Sequence, residues 1–315
     1  MKSFKLNSSF YGIFGIVLLL TSCKEKIAST SNTSAMDIVQ KETKAPYEKL
    51  SKDFKDYWYN GTAEITSYSL EQARYGEIRE GNAVLIYVTE PFLPGLQVKA
   101  DNNDSDNIPV LKLNTTKNYI TGIYPYSIMT SSFYPVHDHQ HALKLSFSSQ
   151  EWCGHVYAQL NNKEDFEIMS HSYFGSEADQ EYQIEKANLE DEIWNKIRIN
   201  PNALPIGEIS MIPSLEFIRL THKELKAYKA TTSITKSDGL NSYEITYPEL
   251  ERTLKINFQN KFPYTIESWT DTSKDGFGDR AKVLTSTATI INRITTPYWQ
   301  QKSNKDLYLR DSLGL

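Results

Sequence analysis

Cysteine is nearly absent from this sequence, which limits the chemistry that the chain can perform. Only Cys23 and Cys153 occur among its 315 residues. Two isolated cysteines exclude a multi-cysteine zinc site and a framework of disulfides. The sequence also lacks paired cysteines, a phosphate-cradling glycine loop, a nucleophile elbow and a His-Glu-x-x-His pattern. No catalytic class is therefore indicated by a complete motif, and no cofactor is expected.

Positive charge is also scarce. The chain has 34 lysines and arginines against 39 aspartates and glutamates, for a formal net charge of −5. Without Lys2 and Lys5, which lie near the N-terminus, the charge is −7. Proteins that bind nucleic acid present a basic face to the phosphates, so an acidic chain argues against a nucleic-acid partner. It argues equally against a general electrostatic attraction to anionic lipid.

The apolar run near the N-terminus is too short for a membrane-spanning helix, which takes about 20 residues. It covers residues 11–20, after two lysines and before Thr21-Ser22-Cys23. A basic start, a short apolar segment and small residues before a cleavage point are typical of a signal peptide for export. Residues 20–23, Leu-Thr-Ser-Cys, also resemble the lipobox of bacterial lipoproteins, whose cysteine is acylated and becomes the mature N-terminus. The alternative is an ordinary secretory signal with a cysteine there by chance.

The lipobox leads to a prediction of location and of domain organisation. Two or more acyl chains anchor a protein stably without a spanning helix, so the membrane is the expected partner through lipid on Cys23. Residues 24–45 are rich in Ser, Thr, Lys and Glu, which is typical of a flexible tether. We therefore predict a signal peptide at 1–22, acylated Cys23 with a tether at 23–45, and one β-rich domain at 46–315. The predicted location is the cell envelope, at the outer membrane, on its periplasmic or surface side.

The predicted domain follows strand-like patterns. Apolar and polar side chains alternate at 143–148, as in a half-buried strand, and Gly81-Asn82 predicts a turn between two strands. Helical spacing occurs at 46–57 and 188–199, where Asn188 is the expected N-cap. The alternation of strands and helices that marks a parallel sheet is missing. The sequence predicts a mainly β fold, a large curved antiparallel sheet or half-barrel with one or two covering helices, similar in layout to the half-barrels of lipoprotein carriers.

A cysteine and a histidine offer one route to catalysis. If residues 152–160 form a strand, Cys153 and His155 share a face and lie about 7 Å apart, because a strand rises about 3.4 Å per residue. A thiolate–imidazolium pair would suit an envelope hydrolase, although no orienting residue or oxyanion hole is readable from the sequence. The alternative is a sheet face that carries a free cysteine among hydrogen-bonded polar neighbours.

Two segments contain possible metal ligands. Residues 271–279 resemble the first half of a calcium loop, with glycine in the sixth position. The oxygen ligands would be Asp271, Ser273, Asp275 and Asp279. Lys282 occupies the twelfth position, where a glutamate is expected, and a plain hairpin turn explains the same residues. Residues 137–141 hold three of the six histidines, which would line one face of a strand as a metal site can, or form a solvated loop.

Four segments of the chain are distinctive enough to compare with known families. They are YWYNGTAEITSYSLEQARYGEIREGNAVLIYVTE (57–90), TGIYPYSIMTSSFYPV (121–136), QEWCGHVYAQLNN (150–162) and SNKDLYLRDSLGL (303–315). With them, the chain from about residue 54 resembles a family of uncharacterised lipoproteins from flavobacteria and their Bacteroidetes relatives. Members sometimes carry the label septum formation inhibitor Maf. True Maf proteins are α/β nucleotide pyrophosphatases that open with a Ser-x-Ser-Pro-Arg-Arg-like segment, which is missing here, so the resemblance implies no Maf residue, cofactor or activity.

The sequence is compatible with three functions. The leading hypothesis is a non-catalytic envelope lipoprotein that binds a hydrophobic ligand or an envelope partner, because a lipobox and a tether are present and a complete catalytic set is not. The second is an envelope hydrolase that uses Cys153 and His155. The third is a structural module stabilised by calcium.

Overall fold

The computed structural model of the chain describes residues 50–102, 104–137 and 140–315, so the leader, Cys23 and the tether lie outside the described residues. Within the described part the fold is mainly β, with one 16-stranded sheet that is not closed into a barrel and only a few helices. The predicted fold class, a large antiparallel sheet with covering helices, is confirmed.

Within the described residues the sheet has sixteen strands, numbered in chain order. They are β1 (Ala63–Arg74), β2 (Glu77–Leu93), β3 (Val98–Lys99), β4 (Ile108–Thr121), β5 (Tyr124–Pro135), β6 (Lys144–Glu151), β7 (Gly154–Asn162), β8 (Phe166–Ser172), β9 (Asp179–Ile184), β10 (Asn188–Leu189), β11 (Gly207–Ile212), β12 (Tyr228–Lys236), β13 (Leu240–Tyr247), β14 (Arg252–Gln259), β15 (Ile266–Asp275) and β16 (Lys282–Thr296). The α-helices are α1 (Lys52–Trp58), α2 (Glu190–Ile199), α3 (Leu215–Thr221) and α4 (Tyr308–Ser312).

The sheet has two arms that meet at β1. The first arm contains β1, β2 and β4 to β9 in that order, and the second contains β10 to β16. β16 pairs with β1, which joins the arms into one continuous sheet. Among the described strands only β10 and β11 pair in parallel. Neighbouring strands mostly follow one another in sequence, so short hairpins build nearly the whole topology.

The concave face of the sheet packs against α2. Pleating sends alternate residues to one face, and the buried residues of β14 alternate accordingly: Arg252, Leu254, Ile256 and Phe258. The hydroxyl of Tyr87 in β2 donates a hydrogen bond to the carbonyl of Trp194 in α2 at 3.2 Å. The indole rings of Trp194 and Trp269, on β15, meet edge to face at 5.3 Å. The sheet therefore curves around a central helix that touches both arms, and the core lies between them.

Two helices begin later than their sequence patterns predict. The expected N-cap of α2, Asn188, pairs instead with β11 as part of the short parallel strand β10, so the helix begins at Glu190 and Leu189 takes the cap position. α1 begins at Lys52 after its N-cap Ser51. Residues 46–49 of that predicted helix lie outside the described residues. Asn188 therefore cannot serve as the N-cap of α2, because it is paired in a strand.

One predicted turn is wrong. Gly81-Asn82 lies inside β2, opposite β1 on one side and β4 on the other. The hairpin between β1 and β2 turns instead at Tyr75-Gly76, where both residues have positive φ. Glycine is required at position 81 for close approach, because a Cβ there would lie 2.2 Å from the carbonyl oxygen of Asn118. A glycine that serves strand packing looks like a turn residue in the sequence.

Candidate functional site

The predicted cysteine–histidine pair does not share a strand. Cys153 lies exposed in the turn between β6 and β7, so the strand placement predicted for it is wrong. His155 follows in β7 with an exposed side chain. The Glu151 carboxylate accepts a hydrogen bond from the Cys153 backbone N–H at 2.6 Å, and a hydrogen bond and charge from Glu151 raise the pKa of the Cys153 thiol. A neighbouring carboxylate disfavours the thiolate that a nucleophile needs.

The predicted calcium-loop residues are spread along a hairpin. Asp271, Ser273 and Asp275 belong to β15, so they succeed one another along a strand instead of curling around one point. Asp279 lies in a short 3₁₀ turn before β16. Within the described part of the chain, no three histidine, cysteine or acidic side chains cluster so as to hold a metal ion. The hairpin geometry accounts for the segment that resembles a calcium loop.

One residue of the histidine-rich segment 137–141 supports α2. Residues 138 and 139 lie outside the described residues, but His141 Nδ1 is 3.1 Å from Oε1 of the fully buried Glu192. Lys196 Nζ lies 2.8 Å from the same oxygen. Although burial raises the pKa of Glu192, the hydrogen bonds and charges of His141 and Lys196 hold it below its usual value. His141 therefore contacts a buried carboxylate of the central helix that also pairs with Lys196.

Three cavities in the described part of the chain border α3, and two of them lie on opposite sides of it. The larger of these two has a volume of about 450 Å³ and separates α3 from the first arm. We call it the amphipathic cavity, and its apolar floor is Phe147, Val156, Ala158, Leu215, Ile218 and Leu225. The smaller has a volume of about 90 Å³ and lies between α2, α3 and both arms. We call it the polar cavity, and its main polar residues are Gln72, Ser132, Glu190, Asp191, Arg252 and Asp271.

The mouth of the amphipathic cavity carries charged side chains. Arg219 lies 3.2 Å from Glu177, and Lys226, just beyond the lining, lies 2.9 Å from Glu224. Both carboxylates at the mouth are therefore matched by a cation. Lys223 is exposed and has no carboxylate partner among the described residues. The two carboxylates and two cations of the lining balance, and Lys223 is the cation among them that has no ion-pair partner within the described ranges, above an apolar floor.

Arg252 holds two carboxylates at one wall of the polar cavity. Its two Nη atoms donate to the two oxygens of Glu190 at 2.7 Å, and Nε and Nη2 donate to Asp271 at 2.8 Å. Its guanidinium carbon lies 4.0 Å from the centre of the Phe217 ring. Although burial lowers the pKa of Arg252, Asp271 and Glu190 keep it well above its ordinary value. This ion-pair cluster ties the first turn of α2 to β14 and β15.

Asp191 is a buried carboxyl beside that cluster. Its Oδ2 accepts a hydrogen bond from the Leu215 backbone N–H at 3.1 Å, which links α2 to α3. Burial, together with the charges of Glu190 and Glu216, raises the pKa of Asp191 to about 7, although the Leu215 N–H and Arg252 act in the opposite direction. A carboxyl that titrates near neutral pH inside a cavity is typical of functional sites.

Neither cavity corresponds to a sequence motif. Glu190 and Asp191 open a helical pattern and resemble the acidic residues that favour any helix N-terminus. Arg252 lies far along the chain, in an alternating strand. The one signal in the sequence is that Arg252 shares the parity of Leu254, Ile256 and Phe258, which places a charged side chain on the core-facing side of β14.

Comparisons with known proteins add no assignment. No helix in the described ranges has the length and apolar character needed to cross a bilayer. No protein-family model matches the chain, and a search of curated proteins finds no significant match.

Proposed function

We propose that this protein is a lipid-anchored envelope protein that binds a fatty acid, or a similar single-chain anion, in the amphipathic cavity without catalysing a reaction. The observation that carries the proposal is an apolar floor beneath a mouth with an unpaired lysine. Cavities of about 300–1,000 Å³ are usual for small-molecule sites, and this cavity of about 450 Å³ falls within that range.

The floor and the mouth suit the two ends of such a ligand. The floor residues come from β6, β7, α3 and the segment after it, and burying a hydrocarbon chain there contributes about 0.8 kcal/mol per CH₂ group. Lys223 at the mouth offers a point charge for a carboxylate or phosphate head. An uncharged alcohol of the same chain length lacks that attraction, so the headgroup gives the site its selectivity.

The envelope location rests on the leader. We expect Cys23→Ala to abolish lipid attachment, because one thiol carries the acyl chains in the proposed anchor. The variant should either leave the membrane fraction for the soluble fraction or keep its uncleaved leader. Cell fractionation and the mass of the purified chain measure this. Cys153→Ala is the matched control and should leave the protein in the membrane fraction. A Cys23→Ala protein that stays membrane-bound at its mature mass would contradict the proposed anchor.

The ligand proposal predicts saturable binding that a bulky side chain blocks. We expect dodecanoate to bind the full chain carrying Cys23→Ala with one-to-one stoichiometry in titration calorimetry. Ser170 lies in the lining on β8 and is partly exposed, so Ser170→Trp should fill the cavity and weaken binding at least about tenfold, a loss of about 1.4 kcal/mol.

A matched substitution on the other face separates blocking from general damage. Ser69 is exposed on β1, and Ser69→Trp should bind dodecanoate like the parent protein. Dodecanol should bind more weakly than dodecanoate, because it has no charge for Lys223. The proposal fails if dodecanoate shows no saturable binding, or if Ser170→Trp and Ser69→Trp bind it equally well.

A further inference from the structure

The polar cavity has more carboxylates than cations to neutralise them. Its charged lining residues are Lys117, Glu190, Asp191, Glu216, Arg252, Asp271 and Asp275. Lys117 lies 2.8 Å from Glu216 and forms a neutral pair. Arg252 is shared between Glu190 and Asp271, so that cluster retains one negative charge. Asp191 and Asp275 add to this excess when they are ionised.

Two buried side-chain atoms in the same lining lack hydrogen-bond partners. Gln72 is 8 % exposed and Ser132 is 2 % exposed. Among the described residues, Oε1 of Gln72 and Oγ of Ser132 have no hydrogen-bond partner. Leaving such atoms unpaired costs about 1–3 kcal/mol each, so buried polar groups are normally satisfied. Gln72 lies on β1 and Ser132 on β5, and both line the cavity that contains Asp191.

The unpaired polar atoms and the surplus negative charge of this cavity define the class of ligand. An amide oxygen and a carboxylate accept hydrogen bonds, and a hydroxyl oxygen can accept one, so the ligand must donate several. The surplus of negative charge calls for a cation. The indoles of Trp194 and Trp269 also line the cavity, and their faces attract cations. We propose that the polar cavity binds a primary ammonium group, the protonated amine of a small organic ligand.

The size of the cavity and the hydrogen-bond donors that it requires exclude larger ligands, quaternary ammonium ions and metal ions. A cavity of about 90 Å³ is smaller than the roughly 150 Å³ that holds benzene, so it admits a short alkylammonium head while the rest of the ligand points outward. A quaternary ammonium has no N–H to offer Gln72 and Ser132. A metal ion lacks the ligand set that it needs within the described part of the chain.

Ethylammonium tests the site directly on the purified full chain. Trp194 and Trp269 report on it through their indole N–H signals in two-dimensional NMR. We expect these signals to shift saturably with ethylammonium, and tetramethylammonium or ethanol to bind at least about tenfold more weakly. Asp191→Asn should weaken ethylammonium binding about tenfold and Ser132→Ala about fivefold, as expected for a charged and a neutral hydrogen bond.

The controls make the outcome decisive. Asp311 is exposed in α4, and Asp311→Asn should leave the affinity unchanged. Gln72→Met removes a second acceptor without touching the ion pairs, so it tests the site independently of Asp191. The proposal is overturned if the two indole signals do not move, if ethanol or tetramethylammonium binds as well as ethylammonium, or if Asp191→Asn and Gln72→Met both keep the parent affinity.

Discussion

Arg252→Met is expected to destabilise the protein by about 3–5 kcal/mol, the cost of leaving buried charges without their partner. Arg252 is 3 % exposed and makes four hydrogen bonds to Glu190 and Asp271. Methionine keeps the length and much of the packing against Phe217, so the loss reports mainly on charge. Urea unfolding at neutral pH measures the change as a lower transition midpoint with an unchanged slope.

Two companion variants isolate the cause. Arg310 is exposed in α4, and Arg310→Met should change the free energy of unfolding by less than about 0.5 kcal/mol. Adding Glu190→Gln to Arg252→Met should restore part of the lost stability, because it removes one of the stranded carboxylates. A destabilisation of Arg252→Met no larger than that of Arg310→Met would mean that the guanidinium is not buried between two acids.

Asp191→Asn is expected to have the opposite effect and to stabilise the protein above neutral pH. Burial, reinforced by Glu190 and Glu216, raises the pKa of Asp191 to about 7 from an ordinary value of 3.8. Between about pH 4 and pH 7 the folded protein keeps a proton that the unfolded chain has released, so stability falls as pH rises through this window. A difference of about three pKa units corresponds to roughly 4 kcal/mol.

Unfolding at two pH values shows whether this sign is right. At about pH 3 both states of the parent hold Asp191 largely protonated, so Asp191→Asn and the parent should have similar stability. At about pH 8 the variant should be more stable by up to roughly 4 kcal/mol, since asparagine can still accept the Leu215 N–H and carries no charge. Asp311→Asn should show no such divergence. Equal stability of Asp191→Asn and the parent at both pH values would contradict the burial of an unneutralised carboxyl.

The strand pattern made the fold class predictable, because alternation survives in the folded chain. Residues 143–148 alternate in sequence, and the structure pairs β6 between β5 and β7 with every second side chain buried. Local exceptions were not predictable. Cys153 lies in a turn although its neighbours read as strand, and Gly81 lies in a strand although it reads as a turn. Gly81 is fixed by its close approach to Asn118 in another segment. Cys153 lies in a turn that is only two residues long.

The candidate sites could not be predicted because their residues meet only in three dimensions. The sequence of α2, EDEIWNKIRI, has five charged residues, and all five are buried. Three of these buried charges find a partner in a distant segment: Glu190 meets Arg252, Glu192 meets His141, and Arg198 meets Glu64 at 2.7 Å. The periodicity of a sequence indicates which face of a helix is apolar. Whether its polar face can also be buried depends on ion pairs with distant segments.

The most direct test of ligand binding beneath α3 is an NMR measurement of proton contacts between bound dodecanoate and the methyl groups of the protein. The structure predicts contacts from the alkyl chain to Val156, Ile218 and Leu225, which belong to three separate elements and converge only in the amphipathic cavity. Contacts confined to exposed apolar side chains outside this lining, such as Ile123 or Val283, would contradict a fatty-acid site there, as would the absence of any contact at saturating dodecanoate.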